Sequence, residues 1–369
     1  MRVPLFDLAL EEQDVATVAE TLRSGWLTMG PRTQEFEAVF AQRLGVPHAI
    51  ALSSATAALH LAYRAAGIGP GDEVIVPAIT FVATAAAVRY CGGEPVVADV
   101  IGDHDLSLDP EDVQARITER TRAVCLVHYA GYPAPVEELR ALCDARAIAL
   151  IEDSAHTPLL APAGVAACYS FFSNKVLSCG EGGLIATGDD QVAEHVRRWR
   201  SHAMTSGTWD RHRGHATSYD VVDVGFNYRL DEPRAALLLS RLAGLDAAIA
   251  RRRELVHRYR ALLAEVDGVT VPYRDADVDR SSCYIMPVLV EDPSVRDGVR
   301  ATMLERYGVQ TSVLYPALHE FTAYADGNTS LPRSERIAGA QITLPLYPHL
   351  SEEAQDHVVA ALRDALASA

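Results

Sequence analysis

His48-Ala49-Ile50-Ala51-Leu52-Ser53-Ser54-Ala55-Thr56-Ala57-Ala58-Leu59-His60-Leu61 changes its pattern at the paired serines. Residues 48–52 read as a short apolar strand. Residues 54–66 read as a helix with a Ser/Thr-rich start and Gly67 at its end. The same alternation continues outward. Glu73-Val74-Ile75-Val76 is a strand, residues 80–91 a helix, and Pro95-Val96-Val97-Ala98 a strand again. Residues 122–127 and 148–151 add strands, separated by a helical segment over 136–146. This predicts an α/β fold with a mostly parallel sheet covered by helices on both faces.

The C-terminal third differs. One long helical pattern runs over 232–263 and carries Arg251-Arg252-Arg253-Glu254. A strand over 284–290 follows, with helices over 296–307 and 351–366. That predicts a smaller α+β domain, with a large domain over 1–245 and the small one over 246–369.

The 369 residues suit one large and one smaller domain, and 49% apolar residues can fill both cores. A formal net charge of -16 argues against a general nucleic-acid binder. The six cysteines form no CxxC pair, as expected of thiols in a reducing cytoplasm. Met1-Arg2-Val3-Pro4-Leu5-Phe6-Asp7 lacks the apolar core of a signal peptide, and no apolar run reaches bilayer length. The expectation is a cytoplasmic protein without a membrane partner. No histidine spacing matches a metal site.

The chemistry is concentrated in Ser170-Phe171-Phe172-Ser173-Asn174-Lys175-Val176-Leu177-Ser178-Cys179-Gly180-Glu181-Gly182-Gly183. Lys175 stands five residues after Ser170, at the end of an apolar run and before a glycine-rich turn. A lysine there can hold a carbonyl cofactor as a Schiff base. Once released, it can move a proton between substrate carbon and cofactor carbon. Taken alone, an exposed loop lysine is the better reading.

Asp153 ends the apolar run Ala149-Leu150-Ile151-Glu152-Asp153, where parallel sheets place their ligands. Its carboxylate could keep a pyridine nitrogen protonated, or it could cap a helix. Strand alternation sends neighbouring Glu152 to the opposite face. His156 could touch the cofactor ring. Ser54, Ala55 and Thr56 open a helix directly after a strand, where free N–H groups and a hydroxyl suit a phosphate. Ser170 could add a second hydroxyl, and Phe81 could lie against the ring.

In order and spacing, these segments resemble the DegT/StrS family of pyridoxal-phosphate-dependent sugar aminotransferases. The resemblance runs from Ser24-Gly25-Trp26-Leu27-Thr28-Met29-Gly30-Pro31, through the segments above, to Gly225-Phe226-Asn227-Tyr228-Arg229-Leu230 and Leu344-Pro345-Leu346-Tyr347-Pro348. It implies fold type I, of the aspartate-aminotransferase kind, with a mostly parallel seven-stranded sheet. It also implies a homodimer with shared active sites. Lys175 then matches the Schiff-base lysine, Asp153 the pyridine partner, His156 the residue beside the ring and Phe81 the stacking aromatic. Ala55, Thr56 and Ser170 match phosphate contacts, and Asn227 a residue reaching the phosphate from the neighbouring subunit. Two positions depart from the pattern. Ala55 stands where the family usually has glycine, and Val176 where it often has asparagine. Lys175 itself separates this chain from the deoxygenating branch, which carries histidine there.

The resemblance implies pyridoxal 5'-phosphate as cofactor and pyridoxamine 5'-phosphate as intermediate. L-Glutamate or L-glutamine would be the amino donor. A nucleotide-linked 3- or 4-keto-deoxyhexose would be the acceptor, as in amino-sugar biosynthesis. A keto-cyclitol acceptor, or a cofactor-bound sugar sensor without turnover, are the rival readings. Trp209, Arg211, His212 and Arg213, in the loop over 202–219, could stack on a base or pair with a diphosphate. Tyr315 and His319 resemble a substrate-facing segment of the family. No glycine fingerprint for a nicotinamide cofactor follows the first strand.

Overall fold

The computed structural model describes residues 1–206, 214 and 218–369. Two helices, α1 (Glu12–Arg23) and α2 (Pro31–Leu44), precede the first strand. Glu232 closes the turn between them. Its buried carboxylate accepts the N–H groups of Gly30 (2.8 Å), Arg32 (2.8 Å) and Thr33 (2.9 Å). These are first-turn donors that α2 cannot satisfy itself, and a negative charge there complements the helix dipole.

β1 (His48–Leu52) gives way to α3 (Ala55–Ala65) at the serine pair. Ser54 is the cap, its hydroxyl accepting the Ala57 N–H at 3.1 Å. β2 (Glu73–Pro77), α4 (Ala83–Tyr90) and β3 (Glu94–Ala98) repeat the unit. A hairpin of β4 (Val100–Gly102) and β5 (Asp105–Leu108) leads to α5 (Pro110–Arg116), β6 (Thr121–Val127), α6 (Val136–Asp144) and β7 (Ala149–Asp153). Then come β8 (Ala166–Ser170), β9 (Gly183–Thr187) and α7 (Asp190–Trp199).

The seven-stranded sheet has the order β1-β9-β8-β7-β6-β2-β3. β8, β7, β6, β2 and β3 are mutually parallel, and β9 runs against both β8 and β1. Only β9 is therefore reversed, and the expected mostly parallel, seven-stranded α/β sheet is present. Alternation buries both faces. Ala123 and Cys125 of β6 pack into one core with α3 and α4, while Val124 and Leu126 pack into another with α5 and α6.

Two helix expectations need correction. The helix expected over 80–91 begins only at Ala83, which leaves Thr80 and Phe81 at the carboxyl end of β2. The single helix expected over 232–263 is two, α8 (Glu232–Leu242) and α9 (Leu245–Leu263). Gly244 separates them with φ -93° and ψ 0°, at a residue type that weakens helices. The apolar spacing Leu238, Leu242, Leu245, Ile249 carries straight across this break, so it gave no sign of it.

β10 (Val269–Thr270), α10 (Asp275–Val278), β11 (Met286–Val290), α11 (Arg296–Tyr307), α12 (Pro332–Ala340), β12 (Gln341–Leu344) and α13 (Glu352–Ala367) complete the chain. β10, β11 and β12 form a separate antiparallel sheet. The N-terminus lies on this unit: Val3 donates to Gly308 O at 3.0 Å and accepts from Gln310 N at 2.9 Å. We propose the domain division at 245/246, with this first segment attached to the smaller unit. A clasp joins the two units at Asp99, whose carboxylate accepts the Ser334 N–H at 2.8 Å and the Ser334 hydroxyl at 2.5 Å. Among the described residues, no helix is long and apolar enough to cross a membrane.

Gly183 fixes the junction that the site needs. A Cβ there would fall 2.2–2.4 Å from backbone atoms of Ser54 and Ala55. Backbone cannot yield as a side chain tip can. Gly183→Ala is expected to cost about 1–3 kcal/mol of stability and to displace the start of α3. Urea unfolding checks this against Gly188→Ala, where an added Cβ meets nothing within 4 Å.

Candidate active site

The carboxyl ends of five strands surround one cavity of about 350 Å³. After β1 come Ser54, Ala55 and Thr56, and after β2 come Thr80 and Phe81. Val127 ends β6, Asp153 ends β7, and Ser170 ends β8. Ligand sites in open α/β sheets lie at such crevices. Lys175 enters from the β8–β9 connection, and Tyr284, Leu314 and Tyr315 enter from the smaller unit.

That connection is held shut at its base. Phe171 donates to Gly182 O, and Cys179 donates to Phe171 O, both at 2.9 Å. Lys175 N donates to Phe172 O at 2.8 Å, which turns the lysine back over the cavity. Its Nζ lies 4.2 Å from the centre of the Tyr284 ring. Burial lowers the Lys175 amine from 10.5 to about 7, against the opposing pull of the Asp153 carboxylate. A large share of this lysine is therefore neutral, and nucleophilic, near pH 7.

Asp153 is buried. Its Oδ2 accepts from the Thr84 hydroxyl at 2.8 Å, and its Oδ1 from the Ala155 N–H at 3.1 Å. Burial raises the carboxyl above its ordinary value despite these bonds and the charges of Lys175 and His128. The site therefore lacks enough positive charge to hold this carboxylate ionised at no cost. Glu152 lies on the other face, as alternation requires. It accepts from Ala163 N and Gly164 N at 2.6 and 2.7 Å, and its Oε2 lies 3.1 Å from His128 Nε2.

His156 is buried beside the cavity. Its Nδ1 accepts the Ala130 N–H at 3.2 Å, which assigns the proton of the neutral ring to Nε2. That nitrogen lies 3.3 Å from the Tyr315 hydroxyl. Burial, then the charges of Lys175 and His128, push His156 well below the ordinary histidine value, so it is a neutral donor. Its ring centre is 4.3 Å from that of Tyr284.

The structure thus brings Ser54, Ala55, Thr56, Phe81, Asp153, His156, Ser170, Lys175 and Tyr315 to one cavity. Two expected residues stand apart from it. His319 is buried and pairs with Glu335 (3.2 Å) at the start of α12, so the structure does not place it at the cavity. Asn227 is exposed, bridges to Ser201 and does not line the cavity of its own chain. Trp209, Arg211, His212 and Arg213 lie outside the described residues. Sequence reading missed Thr84, Tyr284 and the Ala130 N–H. Thr84 follows Thr80 by one helical turn, the only local sign that both face the same way. Tyr284 and Ala130 act across the two units, and no local pattern marks such contacts.

A parallel sheet that presents a neutral lysine and a strand-end carboxylate to one cavity defines an enzyme of the pyridoxal-phosphate class. The sequence matches the DegT/DnrJ/EryC1/StrS aminotransferase family over residues 9–363, and the chain belongs to that family. It is 33% identical over 368 residues to the spore coat polysaccharide biosynthesis protein SpsC of Bacillus subtilis (strain 168), covering 96% of this chain and 94% of SpsC. The aminotransferase TlmJ from Streptoalloteichus hindustanus superimposes with a TM-score of 0.92 at 33% identity, over 100% of both chains. NtdA from Bacillus subtilis, solved with bound pyridoxamine phosphate, gives a TM-score of 0.87 at 29% identity, over 96% of this chain and 82% of NtdA. The protein is a pyridoxal-phosphate-dependent aminotransferase.

The residues fit that cofactor. A protonated pyridine nitrogen would supply the positive charge that Asp153 lacks. The first turn of α3 offers N–H groups with no intrahelical acceptor, beside the Thr56 hydroxyl, that would suit a phosphate.

Proposed function

We propose that this aminotransferase moves an amino group from L-glutamate or L-glutamine to a keto-sugar, with a nucleotide-linked 3- or 4-keto-deoxyhexose as acceptor. The observation that carries the reading is that Lys175 and Asp153 line one cavity, where burial lowers the lysine amine to about 7. The likeness to SpsC, a protein of polysaccharide biosynthesis, supports a sugar as acceptor.

When bound, pyridoxal phosphate supplies an electron sink for the carbon that loses its proton. Asp153 maintains that sink by keeping the ring nitrogen charged. Phe81, 55% exposed where it lines the cavity, would cover a ring face. His156 donates from Nε2 toward the ring's edge. Thr56, Ser170 and the first turn of α3 hold the phosphate. Lys175 takes the proton from the donor's α-carbon and returns it, which needs a neutral amine at working pH. We further propose a homodimer in which Asn227 reaches the partner's phosphate. Its exposure, and its absence from the lining of its own cavity, support that role.

The test is a spectral cycle. L-Glutamate or L-glutamine is expected to convert the bound cofactor to its amine form, read as loss of visible absorbance. A nucleotide-linked keto-sugar is expected to restore it, and a keto-inositol is not. Restoration by the keto-inositol alone would replace the sugar with a cyclitol. No response to any amino donor would sink the enzyme reading.

A further inference from the structure

A second, larger cavity of about 670 Å³ meets the first at Asn174 and Lys175, which line both. Its walls come from the N-terminal segment, the α8–α9 junction and the loop after β12, at Tyr347. Two arginines face it, and they differ. Arg241 donates to Ala9 O at 3.1 Å and lies 3.8 Å from the Asp14 carboxylate. Arg252 is only 5% exposed and has no carboxylate partner among the described residues. Its Nη1 is spent on three carbonyls, those of Cys283 (3.3 Å), Tyr284 (3.2 Å) and Leu346 (3.2 Å). Among the described residues, its Nε is buried without a partner and no hydrogen bond reaches Nη2. A buried cation without a counter-ion is costly, and carbonyl dipoles offset only part of the charge.

We propose that Arg252 binds a carboxylate of the amino donor, in a subsite reached past Lys175. This rests on the aminotransferase reading of the first cavity. Three observations favour that ligand. Nη2 is the donor left for a ligand, since Nε is enclosed by protein, and a guanidinium N–H suits a carboxylate oxygen. Tyr284 touches both charged groups: its carbonyl meets Arg252, and its ring lies 4.2 Å from the Lys175 amine. Finally, Asp7, Glu11 and Asp14 also line the cavity. Asp7 is engaged by His349 at 2.8 Å and Asp14 by Arg241, but this acidic rim disfavours a diphosphate more than a single carboxylate.

The experiment compares the wild-type holoenzyme with Arg252→Lys and Arg252→Met, one half-reaction at a time. Arg252→Met is expected to raise the half-saturating L-glutamate concentration about 30-fold, with the limiting rate far less affected, and Arg252→Lys to recover part of the loss. The acceptor half-reaction, which brings no carboxylate to this subsite, is expected to change at least ten times less, on the same order-of-magnitude footing. Glutarate should perturb the cofactor absorbance saturably in the wild type and not in Arg252→Met, while glutaramide should do so in neither. L-Alanine identifies which carboxylate is read: an equal loss for alanine assigns the α-carboxylate, and a loss for glutamate alone assigns the distal one. Should both variants fail to fold, phenylglyoxal labelling of Arg252 in the wild type is expected to be suppressed by glutarate. Equal loss in both half-reactions, or glutarate binding that ignores Arg252, overturns the subsite and leaves the enzyme reading intact. Glutarate binding through Arg252 without any donor half-reaction overturns the enzyme reading and leaves the anion subsite standing.

Discussion

Lys175→Ala is expected to lower transamination by at least about 10,000-fold, because one side chain supplies both the attachment point and the proton carrier. Borohydride is expected to fix the cofactor to the wild-type chain at Lys175 and to leave the variant unlabelled. Labelling of the variant at another lysine would remove the central assignment. A second readout comes from the apoprotein. With the amine lowered to about 7, its acylation should titrate with a midpoint near pH 7, where an ordinary lysine at 10.5 is almost wholly protonated. At pH 7 that difference is about a thousandfold in neutral amine.

The same shift sets the sign of a stability effect. A folded-state value below the unfolded one contributes stability that is present above pH 10.5 and lost as pH falls through about 7. At pH 6 the wild-type apoprotein must hold a charged amine in this site, and Lys175→Ala need not. The variant is therefore expected to be more stable than wild type at pH 6, by about 2 kcal/mol. That is less than the full shift would give, because the side chain is only partly buried. Thermal unfolding of the two apoproteins at pH 6 and pH 9 checks the sign. Lost activity with gained stability excludes misfolding as the cause.

How far the sequence revealed this site depends on the length scale of each contact. The β1–α3 junction was legible because a strand period changes to a helix period at Ser53-Ser54. The separation of Glu152 from Asp153 was legible because a strand has period two, and the structure puts a buried His128 partner on one face and the cavity on the other. The break at Gly244 was hidden by an apolar spacing, Leu238 to Leu242 to Leu245 to Ile249, that continues through it. Tyr284 was read only as the start of a strand, yet its ring faces Lys175 and its carbonyl faces Arg252. His319 is the opposite case: its neighbours in sequence suggested a substrate-facing segment, and in the structure its buried ring pairs with Glu335, sixteen residues away.

Asp153→Asn separates electrostatics from packing at the other end of the cofactor. Asparagine keeps the shape, and its carbonyl can still accept from Thr84 or from Ala155, so the site stays assembled. What it loses is the negative charge that keeps a pyridine nitrogen protonated. Transamination is expected to fall about 1,000-fold, the size of effect seen when one preorganised charge partner is removed. The apoprotein is not expected to lose stability in proportion. Burial raises the Asp153 carboxyl, so its contribution is fully present below the unfolded value of 3.8 and is lost as pH rises through the folded one. At pH 7 the wild type already bears that cost, and asparagine removes it. Glu152→Gln provides the contrast on the opposite face. It weakens a carboxylate that takes two backbone N–H groups and faces His128, so it should destabilise the fold and leave the donor half-reaction within a few-fold, an order-of-magnitude expectation for a group outside the cavity. A reversed pattern, with Glu152→Gln inactive and Asp153→Asn active, would move the ring partner to the other face of β7.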